Sequence, residues 1–130
     1  MPSIFSKIIS REIPAYIVAE NEHYMAFLDV SPLKKGHTLI VPKKEIDYIF
    51  DLDDATLSGL LMFSKEVAHA IKKAIPCNRV GVSVIGLEVP HAHIHLIPIH
   101  TTNDVNFNNS KLSFSKDEFE EIAFLIKSHL

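Results

Sequence analysis

Three histidines alternate with apolar residues in the stretch "PHAHIHLIPIH", which runs from Pro90 to His100. In an extended chain, residues two apart point to the same face, so His91, His93 and His95 would line one face together. Imidazole has an ordinary pKa near 6.5 and can act as nucleophile, proton donor, proton acceptor or metal ligand near neutral pH. The spacing therefore indicates a catalytic or binding row, although three satisfied structural histidines would give the same pattern.

A metal site is the main chemical alternative for this row. On a strand, adjacent members of the row would be about 7 Å apart and the outer two about 13 Å apart. Two of the imidazoles could chelate one ion, but all three would be strained at zinc–nitrogen distances of about 2.0–2.1 Å. A phosphate ester lying along the strand suits the row better, because one ring can attack while its neighbours donate protons or charge. We expect no metal and no other cofactor, and keep a metal-binding protein as an alternative.

The surrounding elements predict an α+β fold with a mainly antiparallel five-stranded sheet, one long helix and a C-terminal helix. Short apolar runs between turn residues predict the strands "AYIVAEN", "HYMAFLDV", "HTLIVP", "RVGVSVIG" and "HAHIHLIPI", and short turns favour antiparallel pairing. A short helix over "SIFSKIIS" precedes them. Apolar residues at spacings of three and four predict the long helix from about Leu57 to Ile75, stopped by Pro76. A capping-box pair, Ser115 and Glu118, opens the final helix.

The composition is that of an ordinary globular domain. Of the 130 residues, 47% are hydrophobic and 22% are charged, which allows a core of normal size. The formal net charge is −3, so nothing favours nucleic acid or a membrane surface as a partner. One cysteine and no apolar run of about 20 residues are typical of a cytoplasmic protein. We expect residues 1–130 to form a single domain, with a helix at about residues 115–129 as an extension.

Two segments resemble the histidine-triad (HIT) superfamily. The stretch "HAHIHLI" is similar to its signature, in which three histidines alternate with apolar residues, and "FLDVSPLKKGHTLIVPK" precedes it in the order that the family has. The likeness is to the histidine-triad nucleotide-binding (Hint) branch and runs from Ser3 to about Ile99, without the tail from Thr101 to Leu130. It implies a homodimeric enzyme that binds purine nucleotides and cleaves at the α-phosphate, as a phosphoramidate or acyl-nucleotide hydrolase. A dinucleoside polyphosphate hydrolase and a nucleotide-binding module with little turnover are the alternatives.

The resemblance also implies a role for each matching residue. His93 would attack the α-phosphorus and form a nucleotidyl-histidine that water hydrolyses. His91 and His95 would orient it and donate hydrogen bonds to the phosphate, and His37 would support the triad from a neighbouring strand. Asp29 would accept the ribose hydroxyls, unless it is only a turn residue. Five apolar residues would sandwich the base: Ile4, Phe5, Ile8, Ile13 and Phe27. Val30 would lie near the sugar. Taken singly, each of these residues could equally belong to the core.

The chain departs from the family pattern directly before the triad. The family usually has a longer loop, roughly "NxGxxxGQxVxH", whereas this chain has "SVIGLEVPH". Leu87 stands where a glutamine is expected, so the usual amide donors to the phosphate are absent. Glu88 follows, and an ionised carboxylate about 4 Å from a phosphate would be repelled by about 4 kcal/mol at an effective dielectric of 20. We therefore expect Glu88 to pair with a triad histidine or with His37. The alternatives are a Glu88 that points away and a protonated Glu88 that donates to the leaving group.

Overall fold

The computed structural model describes residues 2–130 and contains the predicted five-stranded antiparallel sheet. Its strands follow the order β1-β2-β3-β5-β4, and each neighbouring pair is antiparallel. The strands are β1 (Ile17–Glu20), β2 (Tyr24–Leu28), β3 (Thr38–Pro42), β4 (Arg79–Ser83) and β5 (Ile94–Ile99). The helices are α1 (Ile4–Ile9), α2 (Asp54–Ala74) and α3 (Lys116–Lys127). The predicted α+β class is confirmed.

The two faces of the sheet bury different apolar sets. Along β2, Ala26 belongs to the main core, which also contains residues of α2 and α3, whereas Phe27 belongs to a smaller cluster with residues of α1. The same alternation puts Ile94 into the main core and leaves His93 and His95 on the side of α1. Strands β2 and β3 are buried at every position, because both faces of the sheet are covered.

The last strand begins later than the sequence pattern predicts. It starts at Ile94, so His91 and His93 lie in the segment before it. The backbone N–H groups of His91 and Ala92 donate to the carbonyls of Val89 (2.8 Å) and Ile46 (2.7 Å), neither of which belongs to a strand. Those bonds replace the sheet ladder there, yet the alternation of faces continues through the segment.

Helix α1 is held in place by packing. Six residues are too few for a helix that is stable in isolation. Its N-cap, Ser3, accepts the backbone N–H of Ser6 at 3.0 Å, and Phe5 and Ile8 are buried against the sheet. The helix thereby forms one wall over the histidine segment.

The turn before β3 requires glycine. Gly36 has a φ of +92°, and a Cβ atom there would lie 2.9 Å from Cγ1 of Ile75. Residues with side chains rarely adopt that backbone conformation, and the contact leaves no space for one. The turn directs the next residue, His37, into the interior, where it is 1% exposed.

Helix α3 packs into the main core. Its capping box is formed as predicted, since Ser115 and Glu118 bond each other's backbone N–H groups. The buried residues of α3 share the main core with those of α2: Phe119, Ile122, Ala123 and Ile126. Within residues 2–130, no helix is both long enough and apolar enough to span a bilayer.

Candidate active site

A cavity of about 480 Å³ opens on the face of the sheet that carries α1. Its walls come from α1, the end of β2, the turn before β3, the loop between β4 and β5, and the loop that follows β5. All but one of the residues predicted for the site line it: Ile4, Phe5, Ile8, Ile13, Phe27, Asp29, Val30, His37, Glu88, His93 and His95. The exception is His91. Most of the lining is apolar, and the ionisable side chains among these eleven residues are Asp29, His37, Glu88, His93 and His95.

The proton on the neutral His93 ring is positioned by the backbone. Nδ1 lies 2.7 Å from the carbonyl oxygen of His91. A carbonyl can only accept, so Nδ1 carries the hydrogen and Nε2 of the neutral ring keeps its lone pair. Nε2 makes no hydrogen bond, and no buried side-chain nitrogen within residues 2–130 lacks a partner. Nε2 of His93 is therefore accessible from the cavity as a nucleophile or a base.

His37 and His95 form a directional pair. The backbone N–H of Leu33 donates to Nδ1 of His37 at 3.0 Å, so the neutral ring of His37 carries its proton on Nε2. That Nε2 lies 2.9 Å from Nδ1 of His95 and donates to it. His95 in turn carries its proton on Nε2, which is left to donate into the cavity. One backbone amide thus sets the tautomers of two histidines.

Burial keeps this pair neutral. Burial, followed by the charges of His95 and Lys111, lowers the pKa of His37 to about 3. Burial, followed by His93, lowers the pKa of His95 to about 4. At neutral pH both rings are uncharged, so His95 is a hydrogen-bond donor rather than a cation.

Asp29 lies beside this pair at the end of β2. Its Oδ1 accepts the backbone N–H of Ser31 at 2.8 Å, and its Oδ2 is 3.6 Å from Nε2 of His37. That distance suits an ion pair, but His37 is neutral and its proton is directed to His95. Burial raises the pKa of Asp29, while the bond from Ser31 opposes the rise. Oδ2 is therefore left with acceptor capacity towards a ligand.

His91 does not face the cavity, in contrast to its expected role as a donor to phosphate. Its Nε2 donates to the carbonyl of Pro42 at 2.8 Å, and its Nδ1 accepts from the hydroxyl of Ser3 at 2.7 Å. The ring is fully buried, and burial is the main cause of its lowered pKa. It has no nitrogen left for a ligand and holds α1 against the sheet, while its backbone carbonyl orients His93.

Glu45 ties the same helix from outside. Its Oε1 accepts the backbone N–H of Ser3 and the hydroxyl of Ser6, both at 2.6 Å. These bonds, first the one from Ser6, lower the pKa of Glu45 to about 2. The sequence gives no signal for Glu45 or Ser6, because neither shares a local pattern with the histidines. We name the set Ser3, Ser6, Glu45 and His91 the helix clasp.

The expected pairing of Glu88 with a histidine is wrong. Glu88 is exposed at the cavity mouth, and within residues 2–130 it makes no ion pair with any histidine. Burial holds His37 and His95 uncharged, so neither ring offers a cation to the carboxylate. The loop that carries Glu88 turns at Gly86, which has a φ of +74°.

The apolar half of the cavity is shaped by one phenylalanine. Phe5 packs edge-on against Phe27 (centroids 5.4 Å apart) and against the ring of His93 (5.0 Å). Ile4 and Val30 are among the exposed apolar residues of the protein and lie at the rim. The apolar surface of Phe5 and Phe27, which we name the slot, therefore lies beside the ring of His93.

The loop after β5 adds two residues that the sequence analysis missed. Phe107 packs against His95 with ring centroids 4.9 Å apart, and Lys111 also lines the cavity. A phenylalanine within the polar run "HTTNDVNFNNS" was the available signal. The run lies outside the family likeness and has no periodicity, so its position over the site could not be inferred.

One group of ligand-type atoms could in principle hold a metal ion. Atoms of Asp29, His37 and His95 lie within 4.8 Å of one another. His93 is not part of this group, so it differs from the chelating pair considered within the triad. An ion here would have to displace the proton between Nε2 of His37 and Nδ1 of His95.

Comparison with known proteins decides the family. Residues 10–102 match the HIT domain family. The chain belongs to the HIT family. A HIT-like protein of Borreliella burgdorferi is 32% identical over 98% of this chain and 97% of its own length. The adenosine 5′-monophosphoramidase of Saccharomyces cerevisiae is 36% identical over 73% of this chain and 61% of its own length.

A solved HIT structure matches the whole architecture. The Hit-like protein of Bartonella henselae, described as involved in cell-cycle regulation, superimposes with a TM-score of 0.85 at 31% identity. The match covers 98% of this chain and 96% of that one. The likeness to the Borreliella burgdorferi and Bartonella henselae proteins therefore extends through the tail that follows the triad.

Proposed function

We propose that this HIT protein is a hydrolase of 5′-nucleotide derivatives that uses His93 as a nucleophile and forms a nucleotidyl-histidine. The observation that carries the proposal is the 2.7 Å bond from Nδ1 of His93 to the carbonyl of His91, which leaves Nε2 free in the cavity. The named activity of the Saccharomyces cerevisiae relative supports a nucleoside phosphoramidate as substrate.

The chemistry follows from the tautomers. Nε2 of His93 attacks the α-phosphorus, the phosphorus–nitrogen or phosphorus–oxygen bond to the leaving group breaks, and the leaving group takes up a proton from solvent water. The ring becomes an imidazolium, which the carbonyl at Nδ1 and the nearby carboxylate of Asp29 stabilise. The Nε2–H of His95 donates to a phosphoryl oxygen. Water then attacks phosphorus, releases the 5′-monophosphate and restores neutral His93.

The rest of the cavity suits a nucleoside. The slot against Phe5 and Phe27 offers apolar surface to a base, and few polar groups are present to read its edge, which fits a purine without strict selection. The free Oδ2 of Asp29 can accept hydroxyl hydrogens of a ribose. The ligand would thus run from the slot, past Asp29, to His93.

The carboxylate at the mouth favours a leaving group without negative charge. Glu88 and Asp29 both line the cavity, and a polyphosphate leaving group would bring further negative charge towards them. An amine avoids that repulsion, so we favour a phosphoramidate over a dinucleoside polyphosphate. Replacing Glu88 by Gln should raise turnover of diadenosine polyphosphates relative to adenosine 5′-phosphoramidate. An unchanged ratio would show that Glu88 takes no part in this choice.

The test of the function is turnover combined with trapping of the intermediate. Purified protein is incubated with adenosine 5′-phosphoramidate, and AMP is measured by chromatography. Rapid quenching in alkali, where phosphohistidine-type bonds survive, followed by peptide mass spectrometry should place one adenylyl group on His93. AMP formation without that adduct would contradict the mechanism. Tight AMP binding without turnover would favour a nucleotide-binding module instead.

We also propose a homodimer formed through the edge of the sheet at β4. This strand has a neighbour on one side only, and it and the following loop expose Val82, Val84, Ile85 and Leu87. An unprotected apolar edge strand is a site for pairing with a second copy. Analytical ultracentrifugation should give a dimer for the wild type and a monomer for Val82→Lys. A monomeric wild type would overturn the proposal.

A further inference from the structure

The loop after β5, residues 101–114, is fastened beside the active site. Asp104 accepts the backbone N–H groups of His100 (2.8 Å) and Thr101 (3.0 Å) and pairs with Lys34 at 3.2 Å. The backbone N–H of Leu112 donates to the carbonyl of Pro32 at 2.8 Å. The ion pair with Lys34 and the hydrogen bond to Pro32 both hold the loop against the turn between β2 and β3, which separates Asp29 from His37. The loop is thus held against the side of the cavity that Asp29 and His37 line.

Within this loop the ammonium group of Lys111 is held by the backbone. Nζ donates to the carbonyls of Phe107 (2.6 Å) and Asn109 (3.1 Å). An ammonium has three donors, so one remains free. Nζ lies 6.0 Å from the centre of the Phe107 ring, and that ring packs against His95. Lys111 lines the cavity, and its charge acts on Asp29 and His37, so the ammonium group lies on the polar side of the cavity.

The charge balance of the cavity makes this lysine significant. Among residues 2–130, Lys111 is the only lysine or arginine that lines the cavity, whose lining includes the carboxylates Asp29 and Glu88. His37 and His95 offer no compensating cation, because burial keeps both rings neutral. The loop before the triad, residues 85–89, contains neither a basic nor an amide side chain. A phosphate monoester carries about −1.5 to −2 charges at pH 7 and would otherwise meet a cavity of net negative charge.

We propose that Lys111 is the phosphate-binding cation of this site and makes it selective for nucleotides over nucleosides. The proposal rests on the proposed function and adds to it a specificity-determining residue supplied by the tail. Lys111 and His95 both line the cavity, and the free donor of the ammonium bonds one phosphate oxygen while His95 bonds another. The positive charge of Lys111 offsets the negative charges of Asp29 and Glu88.

Calorimetric titration with AMP and with adenosine separates this role from a structural one. The variants are Lys111→Gln, Lys111→Arg and, as a matched control, Lys35→Gln, which removes an exposed lysine that does not line the cavity. Lys111→Gln should weaken AMP binding about fivefold to tenfold and leave adenosine binding unchanged. Its AMP affinity should also depend less on salt concentration than that of the wild type. Lys111→Arg should retain most of the AMP affinity, and Lys35→Gln should match the wild type.

Each failure has its own signature. Unchanged AMP affinity in Lys111→Gln would overturn the proposal. An equal loss of AMP and adenosine affinity would also overturn it, because it would show that the lysine only shapes the loop. If the wild type binds neither AMP nor adenosine, the proposed function itself fails and the role of Lys111 fails with it.

Discussion

The two outer histidines of the triad have opposite environments although they are of one type and lie four positions apart. Both ring nitrogens of His91 form hydrogen bonds within the protein, one with Ser3 and one with Pro42. In His95 only Nδ1 forms a hydrogen bond within residues 2–130, with His37, and Nε2 faces the cavity without a partner. The helix clasp occupies one end of the row, and the open cavity lies at the other.

This difference shows that a repeating pattern of side chains does not imply a repeating function. Each imidazole has two nitrogens, and its role depends on how many of them the surrounding elements leave free. At His91 the fold uses the ring to hold a six-residue helix. At His95 it uses one nitrogen to fix the tautomer and leaves the other for a ligand.

The largest effect is expected at the centre of the row. His93→Ala should lower turnover of adenosine 5′-phosphoramidate by on the order of a thousandfold or more, because it removes the nucleophile, while AMP still binds. Steady-state kinetics and AMP titration measure the two properties. Activity near that of the wild type would rule out His93 as nucleophile, and rescue of His93→Gly by free imidazole would support it.

The outer pair should separate catalysis from stability. His95→Gln should lower kcat about a hundredfold with a small loss of stability. His91→Gln should lower kcat by less than about tenfold but reduce the free energy of unfolding by about 1–3 kcal/mol, because it disturbs two buried hydrogen bonds. Kinetics and urea unfolding of both variants test the contrast. Equal effects of the two substitutions on kcat would contradict it.

Selection of the sugar should depend on Asp29. If Oδ2 accepts the ribose hydroxyls, 2′-deoxy-AMP should bind more weakly than AMP by on the order of 1.5–3 kcal/mol, or about 10- to 100-fold. Asp29→Ala should bind the two ligands equally. Equal affinities in the wild type would instead show that Asp29 serves only the turn, through its bond to Ser31.

The neutral pair of His37 and His95 predicts a stability that decreases in acid. Their pKa values, about 3 and about 4, lie below the unfolded value of about 6.5, so the unfolded chain binds more protons between about pH 4 and 6.5. As the pH is lowered through that window, the free energy of unfolding should decrease by up to about 1.4 kcal/mol per pH unit for each histidine. Above about pH 7 the contribution is fully present. In urea unfolding between about pH 5 and 7, His95→Gln should show a shallower dependence than the wild type; parallel curves would refute the assignment.

The smallest effect concerns the helix clasp. Ser3→Ala removes both the N-cap of α1 and the donor to His91, and should cost about 1–2 kcal/mol of stability. Ser10→Ala is the matched control, because its exposed hydroxyl only donates to the carbonyl of Lys7 at 3.1 Å. Thermal unfolding of the two variants compares them. A loss no greater for Ser3→Ala than for Ser10→Ala would show that the clasp does not hold the helix.

Much of the fold follows from local pattern. The alternation along the strands and the spacing of three and four along α2 predict the elements and the faces that they bury, because both periods are set by backbone geometry. The same alternation predicts that His93 and His95 share a face. The predicted start of β5 is wrong, because bonds to Val89 and Ile46 replace the sheet ladder before Ile94, and no local signal marks that exchange.

What the sequence by itself determined is the family, the α+β class and half of the residues that line the cavity. Only the tertiary structure decided which nitrogen of each histidine carries a proton, that His91 lies outside the cavity, and that Phe107 and Lys111 line the cavity. The physical reason is distance along the chain. Ser3 and His91 are 88 positions apart and His37 and His95 are 58 apart, so their hydrogen bonds exist only after the helix, the sheet and the final loop have packed together.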